Sequence, residues 1–206
     1  MSRIAGTPIA AEHGQSIESC WRTPLWLASR IRDDVFGGRI ELDPCTAPDN
    51  PVGALMFYTP ADDGLKQPWL GLDTFVNPPF IDSKKWSRKA MAEVASSGQR
   101  VVFLAPAAIG TAWLHDLWEY ADDGLWLRKR IRYEGICVFK IAKGEPACLL
   151  GPDDPIHSAL HPQAHKYTEG SPTRGTVLFG LNCTLERLAD LGTRASVAPK
   201  AQKAAA

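Results

Sequence analysis

Short β-branched runs alternate with helix-length segments through most of this chain, and that alternation constrains the fold more than any other feature. RIELD (39–43), TFVN (74–77), RVVFLAP (100–106) and GTVLFGL (175–181) read as strands. LWLASRIRDDVF, SKKWSRKAMAEVASSG, TAWLHDLWEYA (111–121) and LERLADL read as helices. Thr23 is expected to cap the first helix with Pro24 in its first turn. In the second, Trp86, Ala90 and Val94 recur at helical spacing before Gly98. GLWLRKRIRYEG carries one or two further strands, in which alternation sends Arg130 and Arg132 to one face and Ile131 and Tyr133 to the other. The pattern predicts an α/β domain on a single mostly parallel sheet with helices on both faces. Ligands in such sheets sit beyond the carboxyl ends of the strands. The residues that follow each strand are therefore the ones to read for chemistry.

The 206 residues suffice for one large domain or two small ones. We expect a flexible segment over 1–18, a folded domain over 19–192 and a disordered Ala- and Lys-rich tail over 193–206. Lys plus Arg and Asp plus Glu are 23 each, so the net charge is zero. This argues against coating of nucleic acid by bulk electrostatics but permits a local basic patch. Two clusters, Lys84, Lys85, Arg88, Lys89 and Arg128, Lys129, Arg130, Arg132, are either solvated faces or phosphate contacts. No apolar run approaches the roughly 20 residues that span a bilayer, and the first residues lack a secretory signal. Five scattered cysteines without close pairing fit reduced thiols in a cytoplasmic protein. The turn-rich stretch 143–174 is read as a substrate-facing loop. It holds His157, His161 and His165, but Pro162 interrupts their helical spacing, and no metal site is expected.

The sharpest local signal is Asn77-Pro78-Pro79-Phe80, directly after the strand TFV. It serves either as a rigid packed loop or as the catalytic loop of an amino-group methyltransferase. An adenine amino nitrogen is a poor nucleophile because its lone pair is delocalised into the ring. An Asn77 side-chain oxygen and a Pro78 carbonyl can accept both amino hydrogens and stabilise the positive charge that develops on methylation. Pro79 fixes that carbonyl through its restricted φ. Phe80 offers a face on which an extruded base can stack.

Glu41-Leu42-Asp43-Pro44-Cys45 ends an early strand, so Asp43 either meets a cofactor beyond the sheet edge or closes an Asx-type turn. Asp62-Asp63-Gly64 is first of all turn chemistry. Asp63 could also hydrogen-bond a cofactor there, with Trp69 packing nearby.

The ordered set Trp21-x-Thr23-Pro24, Leu42-Asp43-Pro44-Cys45, Thr59, Asp63-Gly64-Leu65, Trp69 and Phe75-Val76-Asn77-Pro78-Pro79-Phe80 resembles the phage-type DNA adenine-N6 methyltransferases. The resemblance continues through Trp86, Lys89, Ala90, VVFLAPA, Thr111, Trp113 and Arg130-Ile131-Arg132-Tyr133, covering about residues 20–180. It implies a Rossmann-like methyltransferase fold that uses S-adenosylmethionine, with DNA as substrate. By that likeness Asp43, Pro44 and Cys45 border the cofactor, together with Asp63, and Asn77 to Phe80 form the catalytic loop. Thr23 and Pro24 lie over the methionine end of the cofactor. Arg130, Arg132, Lys84 and Lys85 are the candidate DNA contacts, and no metal is needed. A phage or prophage enzyme working in the bacterial host cytoplasm, in restriction protection or regulation, is the implied setting. Methylation of RNA or protein, or an inactive cofactor- or DNA-binding relative, stands as the alternative. One departure is plain: Cys-Thr-Ala-Pro-Asp-Asn-Pro replaces a glycine-rich turn after Asp43-Pro44. Thr46, Asp49 and Asn50 are the polar groups available there instead.

Overall fold

The computed structural model describes residues 22–131, 136–139, 148–150, 166–168 and 175–195. The main sheet is built from β1 (Leu42–Asp43), β2 (Met56–Phe57), β3 (Thr74–Val76), β4 (Val101–Pro106), β5 (Asp123–Leu127), β9 (Thr176–Leu181) and β10 (Gly192–Ala195). Its spatial order is β10-β5-β9-β4-β3-β1-β2. The pairs β1–β2, β1–β3 and β3–β4 are parallel. β9 lies antiparallel between β4 and β5, so β5 runs in the same direction as β4. β10 closes the edge antiparallel to β5. The sheet is thus mostly parallel, as the alternation of elements predicts.

Helices cover both faces. α1 (Leu25–Arg30) continues into a π-helical turn at Ile31–Val35. It buries Leu27, Ala28 and Ile31 against Phe75, Val102, Leu104, Leu125 and Leu178. α2 (Ser83–Ser97) and α3 (Ala112–Tyr120) bury Trp86, Ala90, Val94, Leu114 and Leu117 against Val76, Val101, Phe103, Ala105, Val177 and Phe179. Alternate residues of β4 thus feed opposite cores, the two-sided burial that gives its uninterrupted apolar run.

Several elements differ from expectation. Thr23 does not cap α1: Pro24 holds the cap position and no side chain caps the helix. The Pro24 carbonyl instead accepts the Leu27 and Ala28 N–H groups at 2.9 and 3.1 Å. The strand through LRKRIRY stops at Leu127, and residues 128–131 leave the sheet. The cause is the loss of neighbours, because pairing ends at Trp126 opposite Val177 on one side and at Leu127 opposite Gly192 on the other. LERLADL forms a 3-10 helix over Glu186–Leu191 rather than an α-helix. The sheet then runs to Ala195, three residues past the boundary expected at 192. Within the stretch read as a loop, β7 (Cys148–Leu150) and β8 (Lys166–Thr168) flank β6 (Ile136–Phe139) in a separate antiparallel sheet of order β7-β6-β8. The expected segment 1–18, residues 196–206 of the tail expected over 193–206, and the three histidines fall outside the described residues. Among the described residues no helix is long and apolar enough to cross a membrane.

Candidate active site

β1 and β3 are adjacent and parallel, so the residues that follow them emerge side by side at one edge. The contact is direct: the Asn77 backbone N–H reaches the Cys45 sulfur. Burial pushes the Cys45 thiol well above its ordinary value, and the Asp43 carboxylate adds to the rise. Cys45 is therefore a neutral thiol at this edge, not a nucleophile.

The Asp43 side chain is buried under the strand end. Its carboxylate accepts the Cys45 N–H at 3.1 Å and a bond from the Thr46 hydroxyl. Desolvation raises its pKa from 3.8 to about 7 against the opposing pull of those bonds. The Asp43 carbonyl accepts Tyr58 N–H at 2.9 Å, and the Thr46 N–H donates to the Tyr58 carbonyl at 3.0 Å. The turn that lacks glycine is therefore held by its own carboxylate and by the segment after β2. The other polar candidates there are also engaged within the chain. Asp49 pairs with Arg22 at 2.6 Å. The Asn50 amide closes its own loop, bonding the Ala54 carbonyl and N–H at 2.9 and 3.1 Å.

A glycine is nevertheless required nearby. A Cβ on Gly64 would come 1.8 Å from the Pro44 carbonyl oxygen, so only glycine lets the 62–65 turn close against Pro44. The buried Trp69 locks that approach by donating its indole N–H to the Gly64 carbonyl at 3.1 Å and stacking on Trp86. Trp69 is a core residue. Asp63, in a left-handed conformation at φ 54°, pairs with Lys66 at 2.8 Å. Asp62 accepts the Thr59 N–H and hydroxyl at 2.8 and 2.7 Å.

On the β3 side Pro78 is buried, and Pro79 holds φ −52° at the entry to a 3-10 turn over Phe80–Asp82. Phe80 is half-buried and packs on the core beneath α1. The Asn77 side-chain Nδ2 donates to Thr23 Oγ1 at 2.9 Å. Thr23 itself is only 2% exposed, clamped between the Arg22–Asp49 pair and α1. Each fully buried Leu or Ile contributes about 1.5–3 kcal/mol, against about 1 kcal/mol net for one hydrogen bond. Packing of Leu27 and Ile31 therefore positions Thr23, and the amide adapts to it.

Lys84 and Lys85 stand exposed on the first turn of α2, just after this loop, with Lys85 paired to Asp82 at 2.7 Å. β5 ends at the same edge as β3, so exposed Arg128, Lys129 and Arg130 leave the sheet on the side of Asn77. Ile131 turns inward and is buried. Arg132 lies outside the described residues.

The family model of DNA N-6-adenine-methyltransferase (Dam) matches residues 11–147, well over half of the chain. The chain belongs to this family. No curated protein and no solved structure matches it. The matched span contains Thr23, Asp43 to Cys45, Gly64 and Asn77 to Phe80. The Thr23–Asn77 bond and the Gly64–Pro44 contact were not foreseen from sequence. Gly64 carried a signal, as a glycine in an acidic turn, but its neighbour 20 positions away in the chain is supplied only by the fold.

Proposed function

We propose that this chain transfers a methyl group from S-adenosylmethionine to the exocyclic amino group of adenine in DNA. One observation carries the reading: Asn77-Pro78-Pro79-Phe80 leaves β3 beside the end of β1, with the Asn77 amide anchored through Nδ2. The groups that would meet the cofactor at that point are the backbone of Pro44 and Cys45, with the buried Asp43 and Thr46 side chains setting the turn that presents them. Asp63 adjoins the same turn through Gly64, and Pro24, beside Thr23, is the residue that would meet the cofactor's methionine end. When bound, S-adenosylmethionine supplies an electrophilic methyl group on a sulfonium.

The chain's own residues do the rest. With Nδ2 committed to Thr23, Asn77 presents Oδ1 as an acceptor for one amino hydrogen, and the Pro78 carbonyl accepts the other. The target adenine, flipped from a duplex or taken from a single strand, stacks on the open part of Phe80. Lys84, Lys85, Arg130 and Arg132 contact phosphates around it. Restriction protection or regulation of phage or prophage DNA is the role this chemistry suits.

The experiment is methyl transfer from labelled S-adenosylmethionine to unmethylated DNA, alongside equilibrium binding of the cofactor. Asn77→Ala is expected to lower kcat by about 10²–10³ while leaving cofactor affinity near that of the wild type. Undiminished turnover would refute the assignment of Asn77. The internal engagement of Asp49 and Asn50 favours one second reading, an inactive relative. Cofactor binding without transfer to any acceptor would select it.

A further inference from the structure

We infer that Ile109 is a wedge that enters double-stranded DNA where the target adenine has left the stack, so that the duplex is the form of substrate this edge is built to open. The inference rests on the proposed reading of the chain as an adenine methyltransferase. An adenine that turns out of a duplex loses its pairing and stacking, and leaves a gap with apolar base faces above and below. An aliphatic side chain that fills the gap restores apolar contact there and needs no hydrogen-bond partner.

The turn after β4 presents such a side chain. The Thr111 N–H and hydroxyl both donate to the Ala108 carbonyl, at 3.0 and 2.7 Å, and close a turn whose two central residues are Ile109 and Gly110. The turn is held from behind. The Ala107 N–H donates to the Gly175 carbonyl at 2.8 Å at the entry to β9, and His115 Nε2 on α3 donates to the Ile109 carbonyl at 2.8 Å. Ala108 is buried, yet the Ile109 side chain at the tip is 63% exposed. A single exposed isoleucine is ordinary on a protein surface. Its place distinguishes this one. β3 and β4 are parallel neighbours with Val76 opposite Phe103, and β4 runs on for three more residues to Pro106. Those residues carry the turn about 10 Å past the level of Val76, the residue before Asn77. A wedge needs that projection, because it works inside the duplex while the reacting base lies at the catalytic loop. Exposed cations flank the turn: Lys84 and Lys85 follow β3 on one side, and Arg128, Lys129 and Arg130 follow β5 on the other. Phosphates gripped on both sides centre a duplex over the tip. Ile81 is exposed too, but it follows Phe80 directly on the 3-10 turn that leads into α2, and no such extension of strand supports it.

The test measures methyl transfer to unmethylated linear DNA, native and heat-denatured, with Ile109→Ala, which removes the wedge, and Ile109→Leu, which keeps an aliphatic chain. Ile109→Ala is expected to lower kcat/KM at least about tenfold on native DNA and to stay within about twofold of the wild type on denatured strands, where no stack has to be opened. Ile109→Leu should recover most of the loss, and both variants should bind S-adenosylmethionine as the wild type does. Undiminished transfer to native DNA by Ile109→Ala overturns the inference alone. So does an equal loss on native and denatured DNA, which would set Ile109 to work outside the duplex. A wild type that methylates adenine only in denatured DNA overturns it too, and leaves the reading of the reaction standing. A wild type that transfers no methyl group to adenine in either form overturns that reading and the inference with it.

Discussion

The Asp43 carboxyl is sealed beneath the end of β1, where it holds the turn that leads to the candidate site. Its pKa is raised from 3.8 to about 7, so the folded protein favours the protonated form. Below about pH 4 folded and unfolded chains both carry the proton and the site adds no penalty. As pH rises from there to about 7 the unfolded chain ionises first, and folding becomes less favourable by about 4 kcal/mol in all. Asp43→Asn removes that term and keeps an oxygen for the Cys45 N–H. Its melting temperature relative to the wild type should therefore climb by several degrees between pH 4 and pH 8. A difference independent of pH would show that Asp43 is not the buried titrating group. At this scale the sequence is legible where chemistry is local. Four consecutive residues, Asn77 to Phe80, declare both their rigidity and their acceptor groups. Thr23, 54 positions away, gave only a helix-cap signal, because threonine before proline at a helix start looks the same whether its hydroxyl faces a backbone N–H or a distant amide.

Among the elements, the far edge of the sheet departs most from expectation. Asp123 at the start of β5 is buried and accepts from the Leu185 N–H, the Thr184 hydroxyl and Arg194 on β10. Burial alone would raise its pKa, but those partners, Arg194 foremost, hold it below the ordinary carboxylate value. A glycine is needed where β10 begins, since a Cβ on Gly192 would lie 2.1 Å from the Trp126 carbonyl oxygen. The sequence gives little warning of this strand: Gly-Thr-Arg-Ala has no apolar alternation, because its outward side chains face water and its backbone supplies the pairing. The opposite error, extending β5 through Arg130, came from an alternation that continues in sequence after the neighbouring strands have ended. Truncation after Leu191 removes β10 and leaves Asp123 without its guanidinium. Because Arg194 is part-exposed, we expect a loss of about 2–4 kcal/mol in denaturant unfolding, and little loss on truncation after Ala195. Equal stability of the two truncations would contradict the role given to β10.

At the scale of the whole molecule, zero net charge conceals an uneven distribution. Exposed Lys84, Lys85, Arg128, Lys129 and Arg130 lie at the carboxyl edge that also carries Asn77. That clustering follows from topology, because β3 and β5 run the same way on either side of β4 and β9. Replacing Lys84 and Arg130 together by Glu should weaken DNA binding at least tenfold and flatten its salt dependence, with cofactor binding unchanged. An unchanged DNA affinity would move the phosphate contacts elsewhere. The α/β class and the two helical faces were readable from period and punctuation alone. The meeting of residues 22–24, 43–46, 64 and 77 was not, because it depends on which strands become neighbours. The central claim is that this edge methylates adenine. The direct measurement is incubation of the purified protein with labelled S-adenosylmethionine and unmethylated DNA, followed by digestion to nucleosides and mass spectrometry. The account predicts N6-methyladenine with the wild type and almost none with Asn77→Ala. Label in another base, in RNA or protein alone, or in equal amount with Asn77→Ala would contradict it.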